Sequence, residues 1–250
     1  MSLNDEQLDR YARHIILPDI GGMGQAKLLA AHVAVIGAGG IGCPALAYLA
    51  AAGVGQISII DDDVVSRSNL QRQILFNDDQ IGQSKAVCAV DAVHRLNPDC
   101  SATPIIQRLT ANNADALLRD CDVVLDGCDN FATRLIVADT ALTLKKPLIS
   151  AALGRFDGQV ATFRGWEHDK PCYRCLVGDA PGRDDINCGD QGVLGAMAGM
   201  IGAMAAIEVL RQIIGFGDDS AGKLMLFDLL SARFRTLDLP KDPGCPTCAD

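Results

Sequence analysis

The sequence predicts an α/β protein: a Rossmann-like, mostly parallel sheet with helices on both faces, continuing into a C-terminal mixed or antiparallel part that carries paired cysteines. Three observations predict it. Between 32 and 152, short apolar runs rich in β-branched residues alternate with helix-length segments, the pattern of parallel strands joined by crossing helices. The first run ends in "VIGAGGIG" (35–42), a glycine turn where a strand meets a helix. After about 155 the alternation stops, and a stretch rich in Gly, Asp and Pro leads to one apolar helix and two last strands.

In chain order, residues 4–14 read as helix, with Asn4 as N-cap because its short polar side chain can accept a free N–H of the first turn. "GGMG" (21–24) reads as a turn. Buried strands are expected at 32–37, 56–61, 101–106, 122–127 and 147–152, with helices near 40–52, 82–97, 110–119 and 130–144. "GQVATF" (158–163) is a further strand, and the polar stretch that follows is an exposed loop. Residues 193–214 are apolar, but the uncharged run 193–207 is short for a bilayer and ends at Glu208 and Arg211, so a buried helix is expected, with Gly195 and Gly199 allowing close packing. Strands near 223–228 and 232–239 precede the tail. One domain, 1–250, is expected, with a nucleotide-binding half to about 155 and a second half over 156–250 that includes a mobile loop at 176–192.

Hydrophobic residues make up 49% and charged residues 21%, enough for a sizeable core. The net charge of −9 lacks the basic footprint of a nucleic-acid binder. The polar start, "MSLNDEQLDRYARH", has no apolar signal core, so a soluble cytoplasmic protein is expected.

Gly37, Gly39 and Gly42 satisfy G-x-G-x-x-G, with Gly40 at a free position. Such a turn lets backbone approach phosphate oxygens and aims the free N–H groups of the next helix at them. Asp61 ends the next strand, where a carboxylate accepts from ribose hydroxyls. Glycines that serve helix–strand packing alone are the alternative. NAD, FAD and ATP all fit this far. "SNLQRQ" (68–73) and Lys85 favour ATP: a triphosphate under attack gathers negative charge that Arg72 and Lys85 can offset, whereas the adenosine end of a dinucleotide takes no part in chemistry. Asp126, Asp129 and Asn130 close another strand in "LDGCDN", and Asp129 is the candidate Mg²⁺ ligand, with Asp126 available to orient backbone.

Taken together, "RYARHIIL" (10–17), "GAGGIGC" (37–43), "DDDVVSRSNLQRQ" (61–73), "GQSKA" (82–86), "LDGCDN", "CYRC" (172–175) and "GCPTC" (244–248) closely resemble the MoeB/ThiF family, bacterial relatives of the ubiquitin-activating enzymes. The resemblance runs from about residue 5 to the C-terminus. It implies Mg²⁺-dependent adenylation, by ATP, of the C-terminal Gly-Gly carboxylate of a small ubiquitin-fold sulfur-carrier protein, in molybdopterin (favoured) or thiamine biosynthesis. It also implies an ATP-contacting set of Gly37, Gly39, Gly40, Gly42, Asp61, Asp63, Ser68, Asn69, Leu70, Gln71, Arg72, Gln73, Lys85, Asp129 and Asn130. Within it, Gly40 approaches the nucleotide, Asp61 holds the ribose, Asn69, Arg72 and Lys85 contact phosphates, and Asp129 binds Mg²⁺. Arg13 matches an arginine that enters the partner subunit's site, which implies a homodimer; His14 stands where Gln is common. The half after 156 would bind the carrier. With no sulfurtransferase segment after the last cysteines, the sulfur donor would be a separate protein.

Cys172 with Cys175 and Cys245 with Cys248 have the spacing of a Cys₄ zinc site, with redox-active pairs as the alternative; the resemblance favours structural zinc. Cys188 matches a position where some family members carry a cysteine that links covalently to the carrier, and an ordinary loop cysteine is the other reading. Cys43, Cys88, Cys100, Cys121 and Cys128 read as small buried hydrophobes. Two further functions compete. An NAD-dependent oxidoreductase would need a hydride-transfer site that the later motifs do not suggest. A non-catalytic scaffold half of an activating enzyme would tend to lose Arg13, Arg72, Lys85 and Asp129.

Overall fold

A computed structural model describes residues 3–178 and 192–249. Cys188 and nearly all of the loop expected at 176–192 lie outside the described residues. An eight-stranded sheet runs through the molecule in the order β3-β2-β1-β4-β5-β6-β7-β8. β1 (His32–Ile36), β2 (Gln56–Ile60), β3 (Ser101–Ile105), β4 (Val123–Asp126) and β5 (Leu148–Leu153) are parallel, and β6 (Asp157–Phe163), β7 (Lys223–Asp228) and β8 (Arg233–Asp238) continue antiparallel. β1 has β2 on one side and β4 on the other, so the chain reverses its direction of travel across the sheet there. In open α/β sheets the crevice beyond such a reversal is where ligands bind.

Side chains alternate across the sheet, and both faces are apolar because helices cover both. Val33 and Val35 of β1 join a core with α3 (Gly21–Ala30), α4 (Gly42–Ala52) and α5 (Lys85–Leu96). Ala34 and Ile36 face a second core with α6 (Ala114–Leu118) and α7 (Phe131–Thr143). The short helix α8 (Tyr173–Val177) and the long helix α9 (Gly195–Ile214) follow. α9 is apolar and long enough to cross a membrane, but Met197, Ile201, Ala205, Ala206 and Val209 are buried in the first core against α4 and β5. Its one buried acid, Glu208, accepts from Thr162 and Arg211, so it is a core helix. A Cβ on Gly195 would meet the Gln71 carbonyl at 2.1 Å and one on Gly202 the Ile41 carbonyl at 2.4 Å, whereas Gly199 faces open space. The close approach therefore uses Gly195 and Gly202, not the expected Gly195 and Gly199.

Four expectations need correction. The 4–14 helix breaks at Tyr11 into α1 (Asp5–Arg10) and α2 (Ala12–Ile15), although Asn4 does cap it, in a reciprocal box with Gln7. "GGMG" begins α3 rather than a turn: Gly24 is buried against Ile214 of α9, where a larger residue would crowd that side chain. β3 is an exposed edge strand, which accommodates Pro104. "CYRC" enters a helix, α8, instead of a loop.

Candidate nucleotide cleft and cysteine cluster

The glycine turn follows β1. Gly37 has φ +88°, a conformation that glycine adopts without strain, and its N–H donates to the Ile60 carbonyl at 2.9 Å. The Ala38 N–H donates to Asp61 Oδ2 at 2.7 Å, and Asp63 N–H donates to Asp61 Oδ1 at 2.8 Å. Asp61 thus braces the turn while its carboxylate borders the cleft. Burial raises its pKa above the ordinary 3.8, against the two N–H donors and the nearby Lys85. A Cβ on Gly42 would lie 1.9 Å from the Gly37 carbonyl oxygen. Gly42 therefore serves close helix–strand packing and is not on the cleft wall.

The long connection from β2 to α5 folds back on itself. A bridge between Val64 and Ser84 closes its base, and Lys85 N–H donates to the Asp63 carbonyl at 3.0 Å. That closure places the largely buried Lys85 ammonium 2.8 Å from Asp63 Oδ2. Within the connection, the Asn69 carbonyl accepts from Arg72 and Gln73, making one tight turn of "SNLQRQ". Arg72 donates to the Ser68 carbonyl at 3.1 Å, and its aliphatic part lies against Gly40. Gln73 is buried on the cleft wall, and its Oε1 has no partner within the protein. A buried acceptor of this kind calls for a donor from a ligand or water.

Beyond β4, Asp126 Oδ1 accepts from the Cys128 N–H at 3.1 Å, so this carboxylate orients backbone, the role left open for it in the sequence. Asp129 is exposed on the cleft wall, and Asn130 both lines the cleft and caps α7 by accepting from the Thr133 N–H at 2.8 Å. The N-terminus of α7 therefore opens toward the cavity, where its dipole favours anions.

The cleft so formed has a volume of about 730 Å³. Gly37, Gly39, Gly40, Asp61, Asp63, Asn69, Arg72, Gln73, Lys85, Asp129 and Asn130 all line it. Ser68, Leu70 and Gln71 do not, and Arg13 is exposed on α2, away from its own chain's cleft. α2 itself is anchored, since Tyr11 accepts from Asn97 and His14 Nδ1 meets Gln25 Oε1 at 3.1 Å. Sequence reasoning missed Gln107, Arg108 and Leu109, which follow β3, and Arg134, one helical turn beyond Asn130. The rule that ligands sit past strand carboxyl ends points to the first three. Among the described residues on the wall the one thiol, Cys128, is buried, and burial with the neighbouring Asp126 carboxylate raises its pKa well above the ordinary value. Its thiolate form is therefore disfavoured. Hard carboxylate oxygens at Asp129 and Asp63 suit Mg²⁺, and glycines, cations and a helix N-terminus suit a nucleotide's phosphates.

At the opposite end, the Sγ atoms of Cys172, Cys175, Cys245 and Cys248 lie within 4.8 Å of one another. Separations of 3.8, 3.7 and 3.4 Å exclude disulfides, which need about 2.05 Å. They approach the spacing that four ligands at about 2.3 Å around a tetrahedral Zn²⁺ require. The bidentate pair between Arg174 and Asp139 of α7, at 2.8 and 2.7 Å, fixes α8 beside this cluster. Four thiolates leave such an ion no open position, so an ion there would staple the tail to α8. The other five described cysteines are buried, as expected, and burial pushes Cys43 up to about 12.

The sequence model of the ThiF family matches residues 11–247. The chain belongs to the ThiF family. Among ThiF-related proteins, it is 41% identical to the SAMP-activating enzyme E1 of Haloferax volcanii, covering 100% of this chain and 92% of that one. It is 43% identical to the sulfur carrier protein adenylyltransferase of Thermus thermophilus, covering 100% and 94%. The ThiF fold is shared with E. coli MccB in a crystal structure with ATP, at a TM-score of 0.85 and 20% identity, over 98% of this chain and 75% of that one.

Proposed function

We propose that this ThiF-family chain is an adenylyltransferase that activates the C-terminal Gly-Gly carboxylate of a small ubiquitin-fold sulfur-carrier protein with ATP. The observation that carries the reading is the joining of Arg72, Lys85 and Asp129 on one wall system above a glycine turn, in a cleft whose described lining offers no activated nucleophile. A carboxylate is already ionised at neutral pH, so the reaction needs positioning and charge neutralisation rather than a general base.

In this reading the carrier's carboxylate oxygen attacks the α-phosphorus, the bond from that phosphorus to the bridging oxygen breaks, and pyrophosphate leaves. The acyl-adenylate then awaits sulfur from a separate donor. Backbone at Gly39 and Gly40 lies against the nucleotide, Asp61 accepts from the ribose, and Asn69, Arg72 and Lys85 offset the charge that builds on the phosphates. Asp129 would hold Mg²⁺, whose charge would offset that of the phosphates further. A groove of about 500 Å³ over β5 to β8 shares Ala152 and Leu153 with the cleft and carries Arg233 and Arg235, which suits the carrier and the tail it threads inward. Arg13, exposed on an anchored helix, would complete a partner subunit's cleft in a homodimer. Zinc in the cysteine cluster would be structural.

Pyrophosphate exchange with ATP, Mg²⁺ and carriers of the molybdopterin and thiazole types tests this, with the molybdopterin carrier expected to be the better. Exchange should vanish when the carrier's last two glycines are deleted. Absence of exchange with every Gly-Gly-ended carrier would remove the proposal.

A further inference from the structure

Arg134 is a buried cation that the reaction above does not use. Its side chain is 10% exposed and pairs at 3.4 Å with Asp126, itself 1% exposed. Its Nη1 also donates to Ser150 Oγ at 3.2 Å, and its Nη2 donates to two backbone carbonyls, Cys128 at 2.5 Å and Ala151 at 2.8 Å. Ser150 Oγ donates in turn to Asp126 Oδ2 at 3.3 Å. A guanidinium has five N–H donors. Four protein acceptors occupy its two terminal nitrogens and the Tyr173 side chain is a further partner, so Arg134 lines the cleft without a free fork to offer a phosphate.

Two of those acceptors matter for the cleft. The Cys128 carbonyl precedes Asp129, the candidate Mg²⁺ ligand. The Ala151 carbonyl precedes Ala152 and Leu153, the strip shared by the cleft and the adjoining groove. A single planar fork therefore ties the end of β4 to the end of β5 at the point where nucleotide and carrier tail would meet. A buried ion pair is a weak source of net stability, and what a rigid fork supplies best is geometry.

We propose that Arg134 is a positioning residue, which clamps the 126–130 turn to β5 and so holds the Asp129 carboxylate in its productive place. This rests on the adenylation reading for the part that concerns Mg²⁺. Lysine at 134 keeps the charge but offers a point donor in place of the fork.

The test compares wild type with Arg134→Lys in three measurements: binding of a fluorescent ATP analogue across a Mg²⁺ titration, hydrogen exchange of the 127–130 amides, and the split between kcat and KM in pyrophosphate exchange. Arg134→Lys should fold, need about 10- to 100-fold more Mg²⁺ for half-maximal binding, as supporting partners of metal ligands do, and exchange the turn amides faster. Its kcat should fall while KM for the carrier holds. A folded Arg134→Lys with a wild-type Mg²⁺ profile and wild-type amide exchange would overturn the proposal. Should the variant not fold, Ser150→Ala, which removes one acceptor of the fork, carries the same test with a smaller expected shift in both readouts, and no shift in either overturns it. Amide exchange needs neither carrier nor turnover. A wild type without pyrophosphate exchange would therefore sink the adenylation reading and leave the clamp to be decided by the amides.

Discussion

The two ends of the sheet are held by different forces. In the parallel part, β1, β2, β4 and β5 are covered on both faces, and the two cores account for the order of the loops beyond their carboxyl ends. That apolar support lets the cleft carry groups that cost stability, among them a buried acceptor without a partner at Gln73 and a carboxylate at Asp61 that burial holds above its ordinary pKa. At the antiparallel end, β8 is exposed along its whole length, and the chain after it is tied by Lys241 donating to the carbonyls of Gly165 and Glu167 and brings Cys245 and Cys248 beside Cys172 and Cys175. The contrast teaches that a site able to bind charge is built where hydrophobic burial is in surplus. Where burial is thin, four thiols stand close enough together to hold a metal ion.

Removing the metal should break this comparison most sharply. Structural zinc sites contribute roughly 10–16 kcal/mol in small peptides. A zinc-selective chelator, with Mg²⁺ kept in excess, should therefore free the chain after 240 and α8, making Cys172, Cys175, Cys245 and Cys248 reactive toward a thiol reagent while Cys43 and Cys128 stay protected. Nucleotide-analogue binding should survive. Loss of binding together with the tail would mean that the two ends are one cooperative unit.

Next in size is Asp129→Ala, which should lower pyrophosphate exchange by about 10²–10³-fold, the scale of losing one electrostatic contact to the transition state. Its melting temperature should stay at the wild-type value, because the carboxylate is exposed. An active variant would remove the Mg²⁺ assignment. Gly42→Ala should do the reverse. Its Cβ would collide with the Gly37 carbonyl, and overpacking of that kind costs about 1–3 kcal/mol, or a drop of roughly 2–12 °C in a domain of this size. A Gly42→Ala protein that melts like wild type would show that the turn is not as tightly packed on α4 as described.

The smallest effect concerns pH. In the proposed reading Asp61 accepts from the ribose, and accepts more strongly when ionised; burial raises its pKa above 3.8. Affinity for the ATP analogue should therefore fall on acidification at a pH above that of an ordinary aspartate. An acid limb at or below 3.8 would show that the shift does not act on binding.

Much of the molecule was legible in the residues. The period of the apolar runs located all eight strands, and the spacing of "VIGAGGIG" and Asp61 located the turn and its brace. What stayed hidden depended on contacts between distant segments. "GGMG" looks like a turn locally, yet Gly24 is small because α9 lies on it. β3 has a buried strand's composition, and only the sheet order shows it to be an edge. Arg134 reads as one charge on a helix, and four of its partners come from residues 126, 128, 150 and 151, on two different strands and the turn after one of them. The cysteine pairs were legible because their local spacing already carries the chemistry.

The account's central claim is that a carboxylate attacks the α-phosphate of ATP in this cleft. The most direct measurement uses a carrier whose terminal carboxylate is labelled with ¹⁸O, with the acyl group then transferred to a thiol nucleophile and the released AMP weighed by mass spectrometry. The account predicts AMP bearing one ¹⁸O, because the attacking oxygen stays on phosphorus when the acyl carbon is taken. Label in inorganic phosphate, with ADP as the other product, would place the attack at the γ-phosphate and contradict it.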